Sequence, residues 1–436
     1  MKTKLAPLMA ALTAAALFTT TACSSSDSPE ETTDPNQKVA LNYWTWAPNM
    51  DKVVAAWNAK NPNIQVTVNK QDGGDPAVVK LLTAIKAGSG APDIMQAEYQ
   101  KIPTLVSSDA LADIAGEVGS VKDKFPAGTW NGVTLGSEAV YGVPQDSGPL
   151  MFFYRADVFE SNGLQAPKTW DEYAAAAEKI HKANPKQYLG TFSANDAGLF
   201  TGLAQQAGAS WWGVNGESWT VNINDAATQK VAAYWGGLVE KGVVDNKPMY
   251  TPEWNAALND GTQVGWVSAV WAPGVLDGSA KDTKGKWKAA PMPQWDAAAP
   301  ATGAWGGSAT SVTTQSKHKK QAAQFIAWLN SDPEALKLLA TEAFVYPAAN
   351  ESTSILSSPP AFFAGQPDFY AIAGEASKQV KPFTYGPNVN VAYSAFNDTF
   401  GKAAEAKKAA AFTESLATMQ KTTVDDLKNA GFNVTG

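Results

Sequence analysis

The 436-residue chain holds one cysteine, Cys23, two histidines, His181 and His318, and one arginine, Arg155. A single cysteine closes no internal disulfide and supplies no thiolate set for zinc. The histidines lie in "EKIHKANP" and "SKHKKQ". Such charged helix ends read as solvated surface, so no metal site or cofactor is expected. The nucleophile elbow G-x-S-x-G and the phosphate loop G-x-x-x-x-G-K-[ST] are both missing. One arginine leaves a single bidentate partner for an anionic ligand. Acidic side chains (41) outnumber basic ones (34). Phosphate backbones need clustered Lys and Arg, so nucleic acid is not a partner. Past Phe18 no apolar run reaches the roughly 20 residues that cross a bilayer as a helix. Paired carboxylates of the glycosidase kind stay open, because they are spatial pairs that leave no local pattern.

The N-terminus is better marked. "MKTKLAPLMAALTAAALFTTTAC" opens with Lys2 and Lys4, continues with an apolar run from Leu5 to Phe18, and ends in small residues at Cys23. A charged start, a short apolar stretch and a small-residue site predict a signal peptide over residues 1–22. The stretch resembles a bacterial lipoprotein signal, in which the cysteine after cleavage is lipidated, although Thr20 stands where leucine is usual. "SSSDSPEETTDPNQ" follows; it is polar, acidic and without apolar periodicity, so residues 23–38 read as a lipidated Cys23 and a flexible tether. That places the folded body at the outer face of the cell membrane. Losing Lys2 and Lys4 leaves 32 basic against 41 acidic groups, a net of about −9.

The remaining length suggests two domains. "VALNYWTWAP" and "NIQVTVNK" read as strands, with "MDKVVAAWNAKNP" as the helix between them. "DPAVVKLLTAIKAGSG" predicts a helix with Pro76 in its first turn and Gly88 past its end, and "APDIMQAEY" a third strand. This alternation is the α/β pattern of a mostly parallel sheet. "VYGVPQDSGPLMFFYRADVFESNGL" breaks the rhythm and reads as a crossing between domains. Helices are expected over Trp170–Ala183, Leu199–Gln206, Asp225–Glu240 and Thr413–Asn429, with a break at Asp332-Pro333.

Tryptophan is in excess, at 16. Trp57, Trp235 and Trp328 lie on apolar helix faces and read as core. Trp46, Trp211, Trp212, Trp271 and Trp305 lie at strand ends or in Gly/Pro-marked stretches such as "GASWWGVNGESWT". An indole covers the apolar C–H face of a pyranose, while carboxylates and amides bond its hydroxyl rim. Cationic ligands are also held by aromatic rings, so composition alone does not choose between them.

Four segments in order carry a family resemblance: "AGSGAPDIMQAEY" with "SSDALADI", "YGVPQDSGPLMFFYRADVFESNGL", "GASWWGVNGES", and "WGGSATSVTTQSKHKKQAAQFIAWLNSDPEALKLL". Together the mature chain resembles the extracytoplasmic solute-binding proteins of carbohydrate ABC importers, the branch similar to maltose-binding protein. The resemblance implies an α/β, two-lobed periplasmic-binding-protein fold, type II-like, with the ligand cleft between lobes and a hinge of crossing segments. Lobe 1 would take 39–147 plus 306–350, and lobe 2 would take 148–305 plus 351–436. It implies a monomer that captures a carbohydrate, an oligosaccharide above all, and delivers it to permease subunits without enzymatic turnover. A non-sugar solute or a secreted glycoside hydrolase is the alternative. By position in the matched segments, the ligand-binding residues would be Trp46, Asn49, Glu98, Tyr99, Asp146, Ser147, Trp211, Trp212, Trp271, Trp305, Gly306 and Gly307. At least one of Trp211 and Trp212 would stack on sugar. Trp46 also shares a face with Trp44 that reads as core, and Tyr385 and Tyr393 are further lining candidates.

Overall fold

The computed structural model describes residues 38–215 and 218–435. The leader, Cys23 and the tether as far as residue 37 lie outside the described residues.

Three parallel-running strands begin the sheet: β1 (Val39–Thr45), β2 (Ile64–Lys70) and β3 (Ile94–Glu98). β1 pairs with β2 in register Val39↔Ile64 and with β3 at Tyr43↔Ile94. The helix Met50–Lys60 links the first two and buries Val53, Val54 and Trp57. The helix Asp75–Ala87 has Pro at its start and Gly88 at φ 72 as its C-cap. That left-handed position carries no Cβ penalty in glycine.

The sheet then turns from parallel to antiparallel and leaves the first core. The remaining strands are β4 (Val143–Arg155), β5 (Trp212–Asn215), β6 (Ser218–Val221), β7 (Gly265–Ala269), β8 (Trp287–Ala290), β9 (Ala304–Val312) and β10 (Val434–Thr435). β9 lies antiparallel to both β3 and β4, and β4 pairs in turn with β7 and β8. The order is β2-β1-β3-β9-β4-β7, with β8 also on β4. β10, β6 and β5 form a separate small sheet.

Apolar side chains gather in two cores. One holds Leu41, Tyr43, Val53, Ile94, Val143, Val312, Phe325 and Leu339. The other holds Leu150, Phe152, Phe153, Trp170, Trp235, Trp266, Phe396 and Phe412. β4 and β9 contribute to both, so they are the two chain crossings of a two-lobed α/β molecule. Their ladder is irregular between Pro144 and Asp146 and again between Ser147 and Pro149. A bulge bends a strand and raises its twist, and Pro149 has no N–H to give the ladder. Gly148 permits the closest approach: a Cβ there would fall 2.1 Å from the Trp305 carbonyl oxygen. Among the described residues no helix is long and apolar enough to cross a membrane.

Candidate binding site

The first wall of the site is the C-terminal end of β1 and β3, where ligands collect in open α/β sheets. Glu98 closes β3 and is half-buried. A Cβ added to Gly74 would stand 3.9 Å from its Oε2. Trp46 follows β1, also half-buried; its N–H donates to Gln96 Oε1 at 3.2 Å and its ring covers Gly73. Trp44, its face-mate two residues back, is buried. Asn49 caps the next helix with φ 50 and donates from Nδ2 to the Glu342 carbonyl at 3.0 Å. It is exposed and fastens a loop.

The floor is the crossing. Asp146 Oδ1 accepts from both the N–H and the Oγ of Ser308, tying β4 to β9. Tyr99 donates its hydroxyl to the Asp146 carbonyl at 2.9 Å. Its ring lies against Gly132 and Gly307, where a Cβ would come within 2.9 and 2.8 Å. Gly306 and Gly307 have φ of 75 and 93, which explains two successive glycines. The Ser147 N–H donates to Tyr346, while its buried Oγ has no partner. Ser147, Gly148, Gly306 and Tyr99 line a cavity completed by Thr129, Gln205, Phe383 and Tyr385. Its walls therefore come from both cores.

The third wall is aromatic. Trp271 and Trp305 are half-buried, with ring centroids 4.7 Å apart in a T-shaped pair. Trp271 Nε1 donates to the Trp305 carbonyl at 2.9 Å. Trp305 packs over Gly198, where a Cβ would meet it at 3.0 Å, and reaches Tyr250 at 6.3 Å between centroids.

Two acids in this region hold their protons more tightly than an ordinary carboxyl. Burial pushes Asp146 up to about 6, against the Ser308 hydrogen bonds and with help from the Glu98 charge. Burial likewise pushes Asp196 up to about 6, against hydrogen bonds from Leu199 and Gly198. Asp196 caps the helix Ala197–Gln206. The Glu98 charge also reaches Tyr385 and Tyr393. Among the described residues no group of three His, Cys, Asp or Glu side chains is placed to hold a metal ion.

The structure thus brings together Glu98, Tyr99, Asp146, Ser147, Trp271, Trp305, Gly306 and Gly307, with Trp46 and Asn49 at the β1 end. Trp211 and Trp212 are a correction. They open the β5–β6 hairpin and are 0% and 1% exposed. Trp211 Nε1 donates to Thr228 at 2.9 Å, and its ring sits between Phe200 and Phe383. Trp212 fills the space over Gly386, where a Cβ would fall 2.2 Å from it. Both rings are packed inside the protein, Trp211 with its Nε1 bonded and Trp212 with its buried Nε1 unpartnered; Trp211 backs the cavity wall through Phe383 and presents no face to a ligand. Asp196 and Tyr250 belong to the site region but show no local sequence signal, since packing alone delivers them.

Two lobes joined by a bulged double crossing, with a mixed aromatic and carboxylate seam between them, define a solute-binding protein. The chain belongs to the bacterial extracellular solute-binding proteins, whose sequence profile matches residues 43–335. It is similar to the arabinooligosaccharide-binding protein of Bacillus subtilis, at 26% identity over 333 residues, 72% of this chain and 74% of the relative. Among solved structures it is similar to the galacto-N-biose/lacto-N-biose I-binding protein of the ABC transporter from Bifidobacterium longum, in complex with lacto-N-biose. The identity is 31%, the TM-score 0.79, and the coverage 91% of this chain and 99% of that one. It is also similar to the ABC transporter associated binding protein from B. animalis subsp. lactis in complex with β-1,6-galactobiose, at 26% identity and TM-score 0.75. That match covers 92% of this chain and 100% of the other.

Proposed function

We propose that the protein captures a sugar, an oligosaccharide above all, in the seam between its lobes and delivers it to the permease of an ABC importer. The observation that carries this is the chemistry of the seam. Half-buried rings (Trp271, Trp305, Tyr385) stand beside carboxylates (Glu98, Asp146, Asp196) and the unpartnered, buried hydroxyl of Ser147. Rings cover C–H faces, and acceptors take hydroxyl hydrogens. The named ligands of the three relatives are all oligosaccharides or disaccharides, which supports the same reading. An anionic solute fits less well, because Arg155 spends its Nε and one terminal nitrogen on Asp157 at 2.8 and 2.7 Å. The role is binding without turnover, by a monomer held outside the membrane through lipid on Cys23.

Thermal melts with arabinooligosaccharides, lacto-N-biose and β-1,6-galactobiose test the ligand class. A ligand that binds only the folded state raises the melting temperature by mass action. No shift with any sugar at millimolar concentration would sink the reading, and release of new reducing ends would favour a hydrolase. Cys23→Ala should free the protein from membranes; retention there would show another anchor.

A further inference from the structure

Four large hydrophobic side chains are exposed among the described residues: Val79, Val214, Tyr250 and Phe344. The two aromatic ones share a second property. Tyr250 has φ 67 and Phe344 has φ 53. Left-handed backbone is uncommon outside glycine, and for a bulky ring it is an outlier. Such residues persist where the surroundings over-determine them, and they cluster at ligand clamps. Tyr250 packs on Trp254, Trp266 and Trp305, whereas for Phe344, the more exposed of the two, packing does not explain the strain.

The place of Phe344 supplies the reason. Its segment is fastened at both ends to residues of the site. At one end Asn49, just past β1 and Trp46, holds the Glu342 carbonyl at 3.0 Å, and Lys52 pairs with the Glu342 carboxylate at 2.9 Å. At the other end Ser147 donates to the Tyr346 carbonyl at 3.1 Å, and Pro347 bridges Asp146. Ala343, directly before Phe344, is buried in the first core. The loop therefore has no freedom to turn the ring inward. Phe344 stands 72% exposed on a segment tied at one end to the β1 end of the site and at the other to its floor.

We propose that Phe344 is an outer stacking platform of the binding site, covering a sugar unit that extends beyond the cavity at the crossing. This rests on the sugar-binding reading and adds to it that the ligand is longer than the cavity holds. Tyr250 occupies the corresponding rim on the second core, 6.3 Å from Trp305 and 5.6 Å from Trp254 between ring centroids.

The test is calorimetric titration of the full mature protein with β-1,6-galactooligosaccharides and arabinooligosaccharides of two to four units. Phe344→Gly removes the ring and relieves the left-handed strain, so the variant should melt no lower than the parent. Its affinity loss should grow with chain length and reach about tenfold for the longest oligomer, as expected of an aromatic anchor. Phe344→Tyr should restore most of that affinity. Sugar binding by the parent with an equal affinity for Phe344→Gly at every length would overturn the platform alone. Unchanged sugar affinity with lost uptake in membrane vesicles carrying the importer would reassign Phe344 to the permease contact, and so would also overturn it. Failure of the parent to bind any of these sugars would overturn the ligand class, and this inference with it.

Discussion

Trp271 and Trp211 are one residue type in opposite settings. Trp211 is fully buried, and cutting such a ring to alanine leaves a cavity that costs about 3–5 kcal/mol. Trp271 is half-buried on the seam and touches the crossing through one hydrogen bond and an edge-to-face contact with Trp305. Trp271→Ala should therefore melt close to the parent and lose roughly tenfold or more in sugar affinity. Trp211→Ala should melt much lower. Paired melts and titrations check both, and a collapsed melting temperature for Trp271→Ala would make that residue structural. The buried acids add a pH dependence of definite sign. Asp196 titrates near 6 when folded, above the ordinary aspartate value of about 4. The folded state then binds the proton more tightly than the unfolded chain. The contribution of this group to stability is fully present below about pH 4, falls as pH rises to about 6 and is gone above. Asp196→Asn keeps a capping side chain on the helix, since Asn caps as well as Asp. It should lose less stability than the parent over that interval; parallel curves of melting temperature against pH would count against the assignment.

At the scale of elements, regular patterns were legible and tertiary ones were not. The spacing of "TWDEYAAAAEKIHKAN" predicts a helix over Trp170–Ala183, and the helix has those bounds. Asp332-Pro333 does divide two helices, with Asp332 accepting from the Glu334 N–H at 2.9 Å. The punctuated run around Asp146 reads as a crossing and is β4, because Gly and Pro bend a strand where it changes cores. The β5–β6 pair beside Trp211 looks like an open loop in the sequence, because Gly213, which lies close against Thr220 of β6, reads as loop punctuation. Asp196 and Tyr250 could not be found at all, since nothing near them in the chain points at Trp305. The crossing also makes a prediction. Gly148→Ala would drive a methyl group into the Trp305 carbonyl, so β4 must move off β9. Overpacking of this kind costs about 1–3 kcal/mol. The variant should melt several degrees lower and bind sugar more weakly, whereas a normal melt would show that the crossing yields freely.

For the whole molecule the question is how the lobes meet. Lys101 follows β3 by three residues and is buried, with its Nζ donating to the Asn390 side chain. Thr104 donates from Oγ1 to the Pro387 carbonyl at 2.8 Å. Gly128 lies so close to the Val380 carbonyl that a Cβ would come within 2.8 Å. Each contact joins an element packed on the first core to the 380–390 segment packed on the second, so the two cores meet directly as well as through the crossing. Hinge closure around a ligand is the motion known for periplasmic binding proteins, and the bulged β4–β9 crossing is where these strands can bend. A ligand shifts such an equilibrium only by its differential affinity for the two states. Protein contacts that exist only when closed act on the same balance. Lys101→Ala removes one of the contacts that join the two cores without touching Trp271 or Trp305. It should raise the radius of gyration of the unliganded protein and weaken sugar binding, while saturating sugar brings both proteins to the same compact value. Small-angle scattering with and without a sugar shown to bind measures all four states. If the parent gives the same radius at zero and saturating sugar, and Lys101→Ala matches it in both, neither hinge closure nor this latch operates.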